Sequence, residues 1–280
     1  MVCAMTEPAE TKPNAWQPLT PRGVAAFARA PLRRLLLVQF LVALLSAVAL
    51  VWFLRTAWFP TVRQAILSLP EDQGRIGSGR LQWPGDSPRL LAEGHFLAFV
   101  VDTNHSGTLR SPAQFQVEFG AKDLYFYSLA GYREWPYPRE WNVGFNRQEL
   151  QPWWGAWEPP VQWMAFAGML GWCLASWWVL ATVYFLPTWL GGFFANRDLN
   201  LRQSWKLAGA ALMPGALVMN AAIFFYGLGV LDIVQLTAGV MVHLLVGWAY
   251  VVWGVWVSPK LAATALAPKN PFAMTPGPEK

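Results

Sequence analysis

The sequence predicts an α-helical integral membrane protein of four transmembrane helices, with a small antiparallel β-rich extracytoplasmic domain inserted after the first helix. Three observations carry this prediction. Charged residues make up only 13% of the 280 residues and hydrophobic ones 55%, against about 25% charged in an ordinary soluble protein. Four runs free of Lys, Arg, Asp and Glu are each long enough to cross a hydrocarbon core, which takes about 20 helical residues. One polar segment, 56–158, carries strand alternation and dense turn clusters instead.

The first run, 35–54 (LLLVQFLVALLSAVALVWFL), is bracketed by Arg33, Arg34 and Arg55. Its SAVA stretch offers an Ala-x-Ala, but 34 residues precede the run and LVWFL prolongs it, so it reads as an uncleaved signal anchor. The second run covers 161–186 and is followed by Pro187; the third covers 207–228 with Pro214 inside it; the fourth covers 238–257. A proline inside a membrane helix is tolerated where neighbouring groups satisfy the freed carbonyl.

Orientation follows from the basic residues of the short segments. Lys12, Arg22, Arg29, Arg33 and Arg34 precede the first run; Arg197, Arg202 and Lys206 lie between the second and third; Lys260, Lys269 and Lys280 follow the fourth. The turn between the third and fourth runs carries only Asp232. Both termini are therefore expected in the cytoplasm, and the membrane is expected to be an inner membrane. The expected organisation is a disordered cytoplasmic tail (1–20), an amphipathic segment and first transmembrane helix (21–55), the extracytoplasmic domain (56–158), the second helix (159–187), a cytoplasmic loop (188–206), the third and fourth helices (207–258) and a cytoplasmic tail (259–280). The net charge of +5 is then topological and meets the lipid bilayer. A nucleic-acid surface would need a clustered basic face with stacking aromatics, so no nucleic acid is expected.

Within 56–158, TVRQAILSLP continues the first helix as far as Pro70, FLAFVV (96–101) reads as a strand ended by DTNHSG, and FQVEF (115–119) and LYFYSL (124–129) read as a hairpin around GAKD. GRIGSGRLQW (74–83) supplies a weaker strand. In FQVEF, Phe115, Val117 and Phe119 share one face. Asn146 and Glu149 form a capping-box pattern for a short helix that returns the chain to the membrane.

The stretch ELQPWWGAWEPPVQW (149–163) concentrates tryptophan, of which the chain has 18. Trp153, Trp154, Trp157 and Trp163 are candidate interfacial anchors, with Pro159 and Pro160 breaking the chain before it enters the bilayer. Two other uses of the indoles stay open: the domain's core, or a recognition surface for a partner or glycan.

Candidate chemistry is sparse. His95, Asp102, Asn104 and His105 do not supply the ligand number a metal needs, and the DTNH stretch reads as a surface turn. Cys3 and Cys173 form no disulfide framework, and Cys173 reads as an inert packing thiol. Gln39, Asn220 and His243 are the candidate intramembrane polar residues, and a neutral His243 bonded to Asn220 or Tyr226 is the plain expectation. No nucleophile elbow, metalloprotease, phosphate-loop or dinucleotide pattern is present, so no catalytic, cofactor or metal residue is assigned. In 196–218, Asn200 or Asp198 caps an amphipathic helix on which Arg202 and Lys206 are candidate headgroup contacts.

LNLRQSWKLAGAALMPG, together with GRIGSGRL and LLAEGHFLAFVVD, resembles segments of a family of uncharacterised bacterial polytopic membrane proteins distantly grouped with the Yip family of membrane-traffic proteins. The resemblance implies one span, a β-rich domain and a cluster of further spans, and transfers no site residue or activity.

These readings favour a non-enzymatic membrane protein whose extracytoplasmic domain meets a protein partner or envelope ligand. The alternatives are a small-solute transporter or its accessory subunit and, third, a membrane enzyme acting on lipid.

Overall fold

A computed structural model describes residues 17–261. Expectations for the outer parts of the two tails, including Cys3, Lys12, Lys269 and Lys280, lie outside the described residues. Among the described residues, four helices are long and apolar enough to cross a membrane, as the four uncharged runs predict. The chain divides into two compact units: the first holds the described residues up to Gln39, Ala175–Gly215 and those from Leu244 onward; the second holds Phe40–Leu174 and Ala216–His243.

Helix α1 (Pro21–Phe27) starts at Thr20, whose hydroxyl accepts the Gly23 N–H at 3.1 Å. Helix α2 (Leu32–Phe53) runs without interruption into a π-turn, Leu54–Trp58, and then α3 (Phe59–Leu67), so the helix of the first apolar run continues almost to Pro70, as expected.

Helix α4 (Arg147–Phe194) corrects two expectations. It is not a short return helix but 48 residues long, and Pro152, Pro159, Pro160 and Pro187 do not break it. A mid-helix proline removes one N–H and costs about 3 kcal/mol. Here residues 155–157 and both Pro159 and Pro160 are exposed, so the freed carbonyls have open surroundings in which to find other donors. Asn146 caps the helix as read, its Oδ1 accepting the Glu149 N–H at 2.9 Å. The Glu149 carboxylate, however, accepts from the Asn146 side-chain amide at 3.4 Å.

Because α4 runs to Phe194 and α5 (Leu201–Gly227) begins at Leu201, the loop expected over 188–206 shrinks to 195–200. Asn200 is the cap: its Oδ1 accepts the Gln203 N–H and its own N–H donates to Gln203 Oε1, both at 2.9 Å. Helix α6 (Ile233–Val257) opens the same way, with Asp232 and Gln235 exchanging bonds of 2.7 and 2.9 Å.

In the first unit, Ala28, Leu199, Leu207 and Val255 form a buried cluster. Gln39 is fully buried there. Its amide nitrogen donates to the Gly209 carbonyl at 3.4 Å, and its oxygen accepts the Trp178 indole N–H at 3.3 Å. A Cβ on Gly209 would stand 3.2 Å from the Gln39 amide nitrogen, a tight approach that glycine avoids. Arg29 pairs with Asp198 at 2.8 Å, and Arg197 donates to the Ser258 carbonyl at 2.8 Å.

In the second unit, eight strands form two sheets: β1 (Arg75–Gly77), β2 (Arg80–Gln82) and β8 (Asn142–Gly144) in the order β2-β1-β8, and β3 (Arg89–Glu93), β4 (Leu97–Val101), β5 (Phe115–Phe119), β6 (Asp123–Ser128) and β7 (Gly131–Pro136) in numerical order. The β5–β6 hairpin is the one read from FQVEF and LYFYSL, with Val117 opposite Phe126. GRIGSGRLQW makes a hairpin of two strands rather than one strand. The purely antiparallel expectation needs correction, because β4 and β5 pair in parallel, Phe99 opposite Val117. DTNHSG does not reverse the chain tightly. Residues 102–114 travel back along the sheet, and a parallel pair needs a return of about a dozen residues. Leu69, Ile76, Leu81, Leu91, Val101, Tyr137 and Phe145 fill the core.

The sheets are joined to the helices of the same unit by aromatic packing. Phe53, Phe96 and Tyr226 are all buried, with ring centroids 4.9–5.4 Å apart.

Replacing Gln39 by Leu removes both of its bonds while keeping the volume close. Interhelical bonds of this kind contribute about 1 kcal/mol in apolar surroundings. Gln39→Leu is expected to lower unfolding stability in detergent by about that amount; unchanged stability would show that the two bonds contribute nothing.

Candidate functional site

The densest polar assembly stands on the outer face of β5 and β6, under the strap formed by residues 102–114. Asp102 closes β4 and is 1% exposed; its Oδ2 accepts the Ser106 hydroxyl at 2.8 Å and the Gly107 N–H at 3.2 Å. That local turn holds His105 in the left-handed region at φ 50°, where its N–H bonds the Asp102 carbonyl at 3.1 Å. The ring lies flat on Tyr125, centroids 4.1 Å apart, and its Nδ1 is 2.6 Å from Glu118 Oε1.

Glu118 is the centre of the assembly and is fully buried. Beyond His105 it faces Arg110, whose nearest nitrogen stands 3.9 Å from Oε2 and whose guanidinium lies 4.0 Å from the centre of the Tyr127 ring. Gln116, also buried, latches the strap by accepting the Ser111 N–H at 2.9 Å. Gln114 accepts the Tyr226 hydroxyl at 2.6 Å, which ties the strap to the end of α5. Burial pushes the Tyr127 phenol above its ordinary range, and the Arg110 guanidinium beside it works against that rise. Tyr125 is raised as well, first by burial and then by the charge of Asp123.

Chemically, the strap is a set of hydrogen-bonded polar groups rather than an activated nucleophile. The Ser106 hydroxyl is given to Asp102 and lies 2.9 Å from Thr108, while His105 is held by Glu118; among the described residues no histidine bonds Ser106. Among the described residues, no group of three or more His, Cys, Asp or Glu is placed to hold a metal ion. Sequence reading missed Glu118, Gln116 and Arg110. The FQVEF alternation places Gln116 and Glu118 on the face away from the core, which is correct, but that face is covered by the strap. The length of the 102–114 return was the available signal.

The residues picked from sequence are scattered. Gln39 meets Trp178 and Gly209 as described. His243 and Asn220 do not bond each other or Tyr226: His243 Nδ1 and Asn220 Nδ2 are buried without partners, and Tyr226 donates to Gln114 instead. Helix geometry explains this. Gly239 of α6 faces Ala222 of α5. His243 lies one turn beyond that contact in one direction and Tyr226 one turn beyond in the other, about 12 Å apart along the axes. Asn220, two residues from Ala222, points about 200° round from the α6 side.

Trp153, Trp157 and Trp163 are exposed at 53%, 45% and 69%, so they are not domain core. Trp154 is half-buried and packs edge-on against Phe59 at 5.3 Å. Arg202 is exposed, whereas the Lys206 ammonium donates to the Ala30 carbonyl at 2.7 Å and serves the end of α1.

A second surface belongs to the five-stranded sheet. Its last strand, β7, is exposed at all six residues and has no strand on its outer side. An open groove of about 920 Å3 runs beside it, lined by Phe115, Phe126, Arg133 and Trp135 among others. Trp135 is 64% and Tyr132 63% exposed.

No family model, curated protein or solved structure matches this chain.

Tyr137, 5% exposed, donates to the Gly120 carbonyl at 3.2 Å, and burial holds its phenol well above the ordinary value. The unfolded chain therefore loses this proton at a lower pH than the folded one. The contribution of Tyr137 is whole below about pH 10 and declines as pH rises beyond it, by about 1.4 kcal/mol per unit. Chemical denaturation from about pH 9 to 11 should show wild-type stability falling faster than that of Tyr137→Phe; identical slopes would refute the assignment.

Proposed function

We propose that this protein is a non-enzymatic component of a bacterial inner membrane, with both termini in the cytoplasm, which presents its β-domain on the outer side to a protein partner. The observation that carries the reading is the β7 edge. Edge strands expose unpaired backbone groups and are normally blunted or covered. Here the edge is uncovered, two large aromatic side chains stand on it, and an aromatic groove with an arginine runs alongside. A strand added to such an edge gains backbone hydrogen bonds, while the groove reads its alternate side chains.

Charge supports the orientation. Among the described residues the first unit carries eight Lys and Arg against the single acid Asp198, and the second carries ten against twelve acids. Basic residues collect on the cytoplasmic side of membrane proteins. A kinship with bacterial polytopic proteins distantly grouped with the Yip family belongs to the same proposal and rests on the stretches quoted from the sequence.

A photo-reactive amino acid at position 135 of the full-length protein, illuminated in native membranes, should give one discrete adduct that an externally added protease degrades. The same residue at Leu90, exposed on β3, should give none. Equal labelling at both positions, or an adduct protected from the protease, would sink the reading.

The partnerless His243 Nδ1 and Asn220 Nδ2 favour a second reading, a small-solute transporter. Under it, His243→Ala stops uptake of the solute while the protein level is unchanged; undiminished uptake removes it.

A further inference from the structure

The π-turn between α2 and α3 places a free cation at the end of an apolar trough. Pro60 explains the turn, since its nitrogen carries no proton for the α-helical bond. The preceding turn widens, and the Phe59 N–H reaches back to Leu54. Turns of this kind are often found at functional sites. Arg55 and Thr56 sit in it, both exposed. The Thr56 hydroxyl returns to the Trp52 carbonyl at 2.8 Å. The Arg55 guanidinium makes no hydrogen bond and no ion pair among the described residues. Glu158 feels its charge, but the Glu158 carboxylate is already gripped by Arg63, whose Nε donates to Oε2 at 2.9 Å and whose second nitrogen takes Oε1.

From Arg55 the stripe Val48, Val51 and Trp52 runs back along one side of α2, at the three- and four-residue spacing of a single helix face. With Phe166 of α4 as the opposite wall, these side chains enclose a trough of about 460 Å3 that opens along its length. Four of its six lining residues are apolar, and Arg55 and Thr56 close one end. Leu54, the last residue of the uncharged 35–54 run, immediately precedes Arg55.

An apolar helix laid in this trough would leave the guanidinium without a counter-charge. A free anion would neutralise Arg55 and leave the apolar walls uncovered. A molecule with hydrocarbon at one end and an anion at the other matches both parts. We propose that the trough holds one anionic phospholipid, with an acyl chain along Val48, Trp52 and Phe166 and its phosphate on Arg55. Guanidinium and phosphate pair through two parallel hydrogen bonds, a geometry open to Arg and not to Lys or Gln. The proposal rests on the reading of the four helices as membrane-spanning.

The test uses the full-length protein in nanodiscs of equal parts phosphatidylglycerol and phosphatidylcholine, then native mass spectrometry after release into detergent. The wild type should retain one phosphatidylglycerol per chain in preference to phosphatidylcholine. Arg55→Gln should lower that retention by about tenfold, the scale of losing a hydrogen bond to a charged group. Val48→Trp, at a site 51% exposed, should fill the trough and lower retention with the charge intact. Arg80→Gln, on β2, should retain lipid as the wild type does. Retention of the two lipids in the ratio supplied, or undiminished phosphatidylglycerol on Arg55→Gln protein with wild-type thermal stability, overturns the site and leaves the membrane reading standing. A chain that never enters the disc overturns both.

Discussion

A peptide N–H or C=O left unpaired among hydrocarbon costs several kcal/mol, and four long stretches of this chain offer little but hydrocarbon around the backbone. That constraint settles most of the architecture. It makes each apolar run a continuous helix, and it puts an acceptor where α4, α5 and α6 begin. Asn146, Asn200 and Asp232 each accept the backbone N–H three residues on, and in the last two the residue at that third position returns the bond to the cap's own N–H. It also governs the prolines. Pro60 is met by a widened turn and Pro159–Pro160 by an exposed stretch of α4, so neither ends the helix it interrupts.

Local rules were therefore legible in the sequence to the extent that local groups satisfy them. Twenty uncharged residues in a row, the caps at Asn146 and Asn200, and the FQVEF–LYFYSL alternation all involve neighbours along the chain, and each gave the local feature expected of it, though not the length of α4. What the sequence hid depends on distant residues. Whether Pro159 and Pro160 stop α4 turns on the surroundings of the freed carbonyls. Whether β5 runs with or against β4 turns on the path of thirteen intervening residues. The burial of Glu118 has the same origin, because alternation assigns a side chain to a face and says nothing about what later covers that face.

The junction of helix and sheet bears on function. Phe53 of α2, Phe96 at the head of β4 and Tyr226 of α5 interlock, and Tyr226 also donates to Gln114 of the strap. The second unit thus includes parts of four long helices as well as the sheets, and 56–158 is not a bead on a flexible tether. An edge strand held this way is pre-oriented. A partner that pairs with β7 would not have to order the domain first, and ordering is a large part of the cost of association.

The polar residues inside the helices divide by the same accounting that shapes the fold. Gln39 is bonded through both ends of its amide, to Gly209 and Trp178, and so recovers what its burial costs. His243 Nδ1 and Asn220 Nδ2 recover nothing. An unsatisfied buried polar group costs about 1–3 kcal/mol, a sizeable part of the 5–15 kcal/mol that typically separates a folded protein from its unfolded state. Leucine at either position would remove the cost without asking anything of the neighbours. Gln39 is thus explained by its two hydrogen bonds, whereas no hydrogen bond among the described residues explains His243 Nδ1 or Asn220 Nδ2.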